Sequence, residues 1–174
     1  FTNNRFNNIK LNENALSEIS DKTYSIVKQN LANPNSFEVK NLLIFENNLS
    51  FESTDFKDHK FKKIFLISNK NESRQIKLSE NVLNFKTSLF KDQKKRLEKK
   101  SINCEIIDIN EIEKLEDAYA LYPSIGESLD YLKSKEFNNI KFLYRKLDQF
   151  SWQYCNKGFF NFKNYIPRII SEFI

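Results

Sequence analysis

Carboxylates gather densely in one stretch of this sequence. Between positions 105 and 130, Glu105, Asp108, Glu111, Glu113, Glu116, Asp117, Glu127 and Asp130 stand against Lys114 alone, a local net of −7. Paired carboxylates can divide the acid and base roles of a proton transfer or hold a hard cation. Asp108 is the first catalytic candidate and Glu105 the second. Asp108 follows the apolar pair Ile106-Ile107, as a residue at the carboxyl end of a strand does, and open α/β sheets take their ligands beyond those ends. Glu113, Glu116 and Asp117 read differently: their spacing suits the solvated face of an amphipathic helix.

A nucleophile–base pair would have to use His59, the one histidine, with Cys104 or Cys155 as the thiol. His59 lies in the polar stretch Asp58-His59-Lys60 and is expected to be a surface imidazole. One histidine and two distant cysteines cannot supply the clustered ligands of a zinc site, so no metal is expected. Gly126 and Gly158 are the only glycines. Neither GxGxxG nor the GxxxxGK loop can be written, which removes the two common routes to a bound nucleotide, and no cofactor is expected. The cysteines are expected to be reduced structural thiols, which favours a reducing compartment.

Charge of the other sign gathers at 86–100. Lys86, Lys91, Lys94, Lys95, Arg96, Lys99 and Lys100 against Asp92 and Glu98 give a net of +5, equal to that of the whole chain. On a helix, Lys91, Lys94, Lys95 and Lys99 could hold phosphates. Phe90, the aromatic inside that stretch, sits on the apolar stripe and reads as core, so stacking on bases is not provided for. Such binding would be weak and blind to sequence. The bland alternative is a solvated helix answered by the acidic block. Trp152 is the other candidate. On a helix over 140–156 it shares a polar side with Phe142, Arg145 and Gln149, as an interface anchor does, unless the apolar tail folds back over it.

These residues need elements to position them. Residues 1–11 read as an arm, and the spacing of Leu16, Ile19, Ile26 and Leu31 predicts a helix over 13–31, stopped before Pro34. Strands are expected at 39–46 and 49–53, joined by Asn47-Asn48 in a tight hairpin turn, and at 61–68, apolar on both faces. Arg74 to Leu78 alternates like a further short strand. A helix over 87–100, with Leu89, Phe90, Gln93 and Leu97 on one stripe, leads to a strand at 102–109. The pair 61–68 and 102–109, with that helix between, has the length of a parallel crossover unit. Ile112, Leu115, Tyr119 and Tyr122 predict a helix ended by Pro123, and Ser124 with Glu127 has the spacing of a capping box. Ile140, Leu143, Leu147, Phe150 and Tyr154 predict a helix over 140–156, ended by Gly158. Residues 159–174 are expected to dock.

The runs LLIFENNLSF, FKKIFLIS and LFKDQKKRLEKKSINCEII have a strand–strand–helix–strand rhythm over residues 41–108. In this they resemble the N-terminal α/β domain of photolyases and cryptochromes. The helical flavin domain that does the chemistry of that family does not fit in the 66 residues that follow. The early helix, the turn Asn33-Pro34-Asn35-Ser36 and the strands are also similar to small α+β periplasmic domains. Neither resemblance brings a diagnostic motif, so no site residue is carried over from it.

The expectation is thus one α/β domain over 1–174, a small mixed sheet of four to five strands packed by helices with a helical C-terminal third; α+β is the alternative. Apolar runs reach four to five residues, far short of the ~20 of a spanning helix. The chain begins at Phe1 and contains no Met, as a trimmed or processed chain does, and any targeting signal would lie upstream. Abundant Asn, Lys, Ile and Phe suit an AT-rich genome. The leading functional expectation is a non-catalytic binding or assembly module acting through protein–protein contacts or self-association. A small transferase- or hydrolase-type enzyme built on Asp108 and Glu105 is the alternative, and weak nonspecific nucleic-acid binding a third.

Overall fold

Leu42-Leu43-Ile44-Phe45 and Ile64-Phe65-Leu66-Ile67 are apolar at every position. A strand of this kind must be covered on both faces, the condition of a parallel sheet between helical layers. The computed structural model describes residues 38–135, 137 and 139–173, and meets that condition. The expected arm at 1–11 and helix at 13–31 lie outside the described residues.

Five strands form one sheet: β1 (Asn41–Phe45), β2 (Ile64–Ser68), β3 (Cys104–Asp108), β4 (Ala118–Leu121) and β5 (Ile140–Leu143), in the order β3-β2-β1-β4-β5. Every neighbouring pair is parallel. Ile64 faces Cys104 and Ser68 faces Asp108, so the expected crossover pair exists, joined by α1 (Glu80–Lys99). That settles α/β over α+β. Four further helices follow: α2 (Glu127–Ser134), α3 (Lys146–Trp152), α4 (Phe159–Phe162) and α5 (Ile166–Phe173).

Side-chain alternation along each strand divides the core into two layers. Leu43, Phe45, Phe65, Ile67, Ala120 and Phe142 pack with Ile112 and with Leu132 of α2. Leu42, Ile44, Ile64, Leu66, Tyr119 and Leu143 pack with Phe90 and Leu97 of α1 and with Phe51 and Phe56 of the β1–β2 connection. Each fully buried Leu or Ile contributes roughly 1.5–3 kcal/mol, and the four apolar residues of β1 are wholly inaccessible.

Several expected elements are replaced. The hairpin at 47–48 is absent: residues 46–48 and 51–53 are 3-10 turns, and β1 runs on to a parallel partner. The sheet is therefore wholly parallel rather than mixed. Residues 74–78 form no strand. The helix expected from Ile112 to Tyr122 is a 3-10 segment, Ile109–Lys114, followed by β4. The helix expected over 140–156 is β5, a break at Tyr144-Arg145, and the short α3. The C-terminal third thus holds β4 and β5 beside α2 and is wholly helical only from α3 onward. Ser124 does not cap α2; Gly126 stands before Glu127 with no side-chain cap. Gly158 adopts φ +75°, a left-handed value, and opens α4 instead of closing a long helix. The tail packs on α3, with the rings of Phe150 and Phe173 5.3 Å apart and Tyr154 stacked on Tyr165.

Candidate functional site

The strand order dictates where a crevice opens. From β1 the chain steps outward to β2 and β3, then returns to β4 on the other side of β1. The β2–β3 connection packs on one face through α1, and the β4–β5 connection packs on the other through α2. Successive connections therefore diverge at the carboxyl ends of β1 and β4, the usual ligand position in such sheets. Two asparagines lace this point together. The Asn48 side-chain amide donates to the Tyr122 carbonyl at 2.9 Å, and that of Asn47 to the Pro123 carbonyl at 3.2 Å. This is the use the structure makes of the expected turn residues.

A charged clasp lies beside them. Arg74, buried, donates to Glu46 through both terminal nitrogens, at 2.8 and 3.3 Å, and to Glu127 at 3.0 Å. Lys86 of α1 reaches Glu46 at 3.0 Å. Burial pushes the Glu46 carboxyl up, but hydrogen bonds from Arg74 and Lys86 outweigh it and hold the group below its ordinary range. Glu127 also accepts from the Gln75 backbone N–H at 3.0 Å and the Asn69 amide at 3.2 Å. The loop after β2 is thereby fastened to the end of β1 and the start of α2. It is closed on itself as well: Asn71 accepts from the Leu78 N–H at 2.8 Å and donates to the Leu78 carbonyl.

Beneath this loop lies a cavity of about 300 Å³. Its walls are Asn69 at the end of β2, Ser73 and Gln75 of the loop, Ile109 and Asn110 after β3, and Glu127, Asp130, Tyr131 and Ser134 of α2. Three buried side-chain atoms at this edge have no hydrogen-bond partner among the described residues: Asn69 Oδ1, Arg74 Nε and Asp108 Oδ2. Such atoms are costly unless something meets them. Tyr131 donates to Glu113 at 3.3 Å; burial, then the nearby carboxylates Glu113 and Asp108, push its hydroxyl above its ordinary range.

The catalytic candidates separate. Asp108 is buried at the carboxyl end of β3, as expected, next to the cavity wall. Its Oδ1 accepts from the Asn110 backbone and side chain, and Glu111 answers with a bond from the Asp108 N–H. Asp108 thus caps the 3-10 segment. Glu105 lies in the amino-terminal half of β3, away from that edge, paired with Lys63. Cys104 is buried and Cys155 exposed, both free thiols. Exposed His59 meets the ring of Phe56 edge-on. No cluster of metal-ligating side chains is found among the described residues.

The surface candidates change meaning too. Phe142 is buried in β5 and cannot belong to an exposed face, because the helix that would have displayed it does not form. Arg145 precedes α3 and forks onto Asp148 at 2.7 and 3.0 Å. Trp152 is half-buried, its ring edge-on to Tyr122 and Tyr144. On α1, Lys91, Lys95 and Lys99 are exposed at successive turns, while Lys94 pairs with Glu98 at 3.6 Å. Phe90 and Gln93 are core residues, the latter bonded to Glu52 at 3.1 Å. The ion pairs seen on α1 run to Glu46, Glu52, Asp92 and Glu98, not to the acidic block. That block pairs with Lys40, Lys62, Lys63, Arg74 and Lys135. Sequence reasoning missed Arg74, whose partners Glu46 and Glu127 lie 28 and 53 positions away; no local pattern announces such a residue.

Among the described residues no helix is long and apolar enough to cross a membrane. The chain matches no protein-family model, no curated protein and no solved structure.

Proposed function

We propose that this domain binds a small polar molecule at the carboxyl edge of its sheet. The observation that carries the reading is the cavity of about 300 Å³ with a mostly polar wall, formed by Asn69, Ser73, Gln75, Asn110, Glu127 and Asp130. A volume of that size stands at the lower end of small-molecule sites, and it lies beyond the carboxyl ends of β2 and β3, on the side of the sheet where doubly wound folds take ligands. This is the ligand-binding part of the transferase- or hydrolase-type alternative. Asp108 enters it as a positioning residue, since its carboxylate is engaged in capping. A fragment library screened by amide chemical shifts of the full chain tests the proposal. Hits that move Asn69, Asn110 and Tyr131 together support it. Hits confined to other surfaces, or none, overturn it.

A second reading, the protein-contact module, is favoured by α1. Val82, Phe85 and Leu89 recur on one side of its first half and are 40, 62 and 41 % exposed, and apolar side chains exposed in one stripe mark contact surfaces more often than scattered ones do. Light scattering across a concentration series checks self-association. Mass rising with concentration, and lost in Phe85→Ser, is the expected result; a monomer at every concentration counts against it.

A further inference from the structure

Away from the cavity and from α1, the C-terminal stretch combines charge of one sign with aromatic surface. From Gln149 to Ser171 the chain carries Lys157, Lys163 and Arg168 and no carboxylate, a net of +3. Asp148, the acid before this stretch, is held by Arg145, which leaves Glu172 as the carboxylate at its far end. None of the three cations forms an ion pair among the described residues. Most of the rings in the stretch have packed neighbours: Phe150 meets Phe173, Tyr154 stacks on Tyr165, and Trp152 lies against Tyr122 and Tyr144. Phe159 and Phe160 do not share in this. At the head of α4 they stay exposed, their rings 5.9 Å apart and inclined at 69° to each other. Lys157 precedes them by two residues, and the Lys163 ammonium stands 5.6 Å from the centre of the Phe160 ring.

Exposed apolar side chains flanked by cations, with no acid among them, complement a surface that is apolar beneath and negative above. We infer that α4 and its flanking lysines dock this protein onto an anionic lipid bilayer. Phe159 and Phe160 enter the boundary between headgroups and acyl chains, and Lys157 and Lys163 lie along the headgroup phosphates with their stems on the apolar side. Two features favour lipid over other anionic partners. Consecutive residues on a helix do not share a face, so a rigid protein groove takes one of the two rings, whereas fluid acyl chains take both. A nucleic acid stacks its bases on free ring faces, and one face of Phe160 is already under the Lys163 ammonium.

The test is sedimentation of the full chain with vesicles of phosphatidylcholine alone, and with vesicles of phosphatidylcholine and phosphatidylglycerol in equal parts. Partition onto the anionic vesicles and not the neutral ones is expected, weakening as salt rises. Lys157→Gln with Lys163→Gln is expected to lower the partition constant about fivefold for each charge removed. Phe159→Ser with Phe160→Ser is expected to lower it about tenfold or more. All four positions are exposed, so the urea midpoint of each variant should match that of the parent chain. Absence of binding to the anionic vesicles at low salt overturns the inference. Binding retained in full by the phenylalanine variant overturns it as well, since charge alone then explains the attachment. A labelled single-stranded oligonucleotide bound more tightly than the vesicles overturns it in favour of a nucleic-acid surface.

Discussion

Arg74 is the side chain on which the carboxyl edge depends. A buried guanidinium between two carboxylates gains little over apolar packing when complete, but removing one partner leaves charge stranded. Arg74→Ala is expected to destabilise the fold by about 3 kcal/mol, measured by urea unfolding, with Glu46→Gln costing less because Lys86 and Arg74 lose only one shared partner. The pH dependence follows from Glu46. Its carboxyl is held below the ordinary 4.5, so its stabilisation is complete above that pH and is lost as pH falls through the lowered folded value. Unfolding midpoints measured from pH 6 to 3 are expected to drop at the acid end, and less steeply in Glu46→Gln. The thiols give a second residue-scale prediction. Burial, then the charge of Glu98, pushes the Cys104 thiol up, and its Sγ–H faces the Lys94 carbonyl at 3.6 Å, whereas Cys155 is exposed. Thiolate is the reactive form. Ellman's reagent is expected to titrate Cys155 promptly and Cys104 only on unfolding; equal rates would contradict the buried placement.

At the scale of elements, α1 shows how a helix end is decided by geometry that the residue types do not advertise. Ser101 sits at φ +58°. Its N–H donates to the Glu98 carbonyl, and the Ile102 N–H donates back to that of Leu97, at 2.9 and 3.0 Å. This is the Schellman arrangement, and Leu97 and Ile102 supply its apolar contact. Glycine takes the left-handed conformation without the steric cost a serine incurs. Ser101→Gly is expected to stabilise the protein by about 0.5–1 kcal/mol, seen as a higher urea midpoint with unchanged slope; destabilisation would mean that the serine side chain holds something the backbone does not reveal. The same scale explains which elements were legible. Strands at 39–46, 61–68 and 102–109 announced themselves because unbroken apolar runs between polar loops leave few other readings. The helix expected over 140–156 failed because two elements happened to continue one period. Ile140 and Leu143 point to opposite faces of the sheet, while Leu147 and Phe150 belong to α3, and the extended Arg145 backbone, ψ 140°, separates them. The run Ala118 to Leu121 falls inside an expected helix because Ile112, Leu115, Tyr119 and Tyr122 recur at helical spacing, whereas all four residues of the run are buried on both faces of an interior strand.

For the whole molecule, the misread strands were the ones that fix topology. Without β4 and β5 the sequence shows half a sheet, and the point where the winding reverses cannot be located, although the place of Asp108 at a strand's carboxyl end is legible from Ile106-Ile107 before it. The completed sheet makes β1 its axis, and this leads to a prediction about how stability is distributed. β1 pairs with β2 on one side and β4 on the other, and its four apolar side chains are shared between both core layers. Freeing its amides requires opening both halves, which amounts to global unfolding. The C-terminal helices are attached differently. In α4, Phe159 and Phe160 are 67 and 79 % exposed, and in α5 Ile169 is the buried residue. Their hold on α3 comes from aromatic contacts such as Phe150 with Phe173, which can open while the sheet stays closed. Native-state hydrogen exchange followed by mass spectrometry is therefore expected to show residues 41–45 exchanging last, at the free energy of global unfolding. Residues 159–173 should exchange through openings several kcal/mol cheaper, and mild denaturant should accelerate the first group far more than the second. If both segments exchange together at every denaturant concentration, the tail is part of the cooperative core, and its exposed phenylalanines do not mark a weakly attached element.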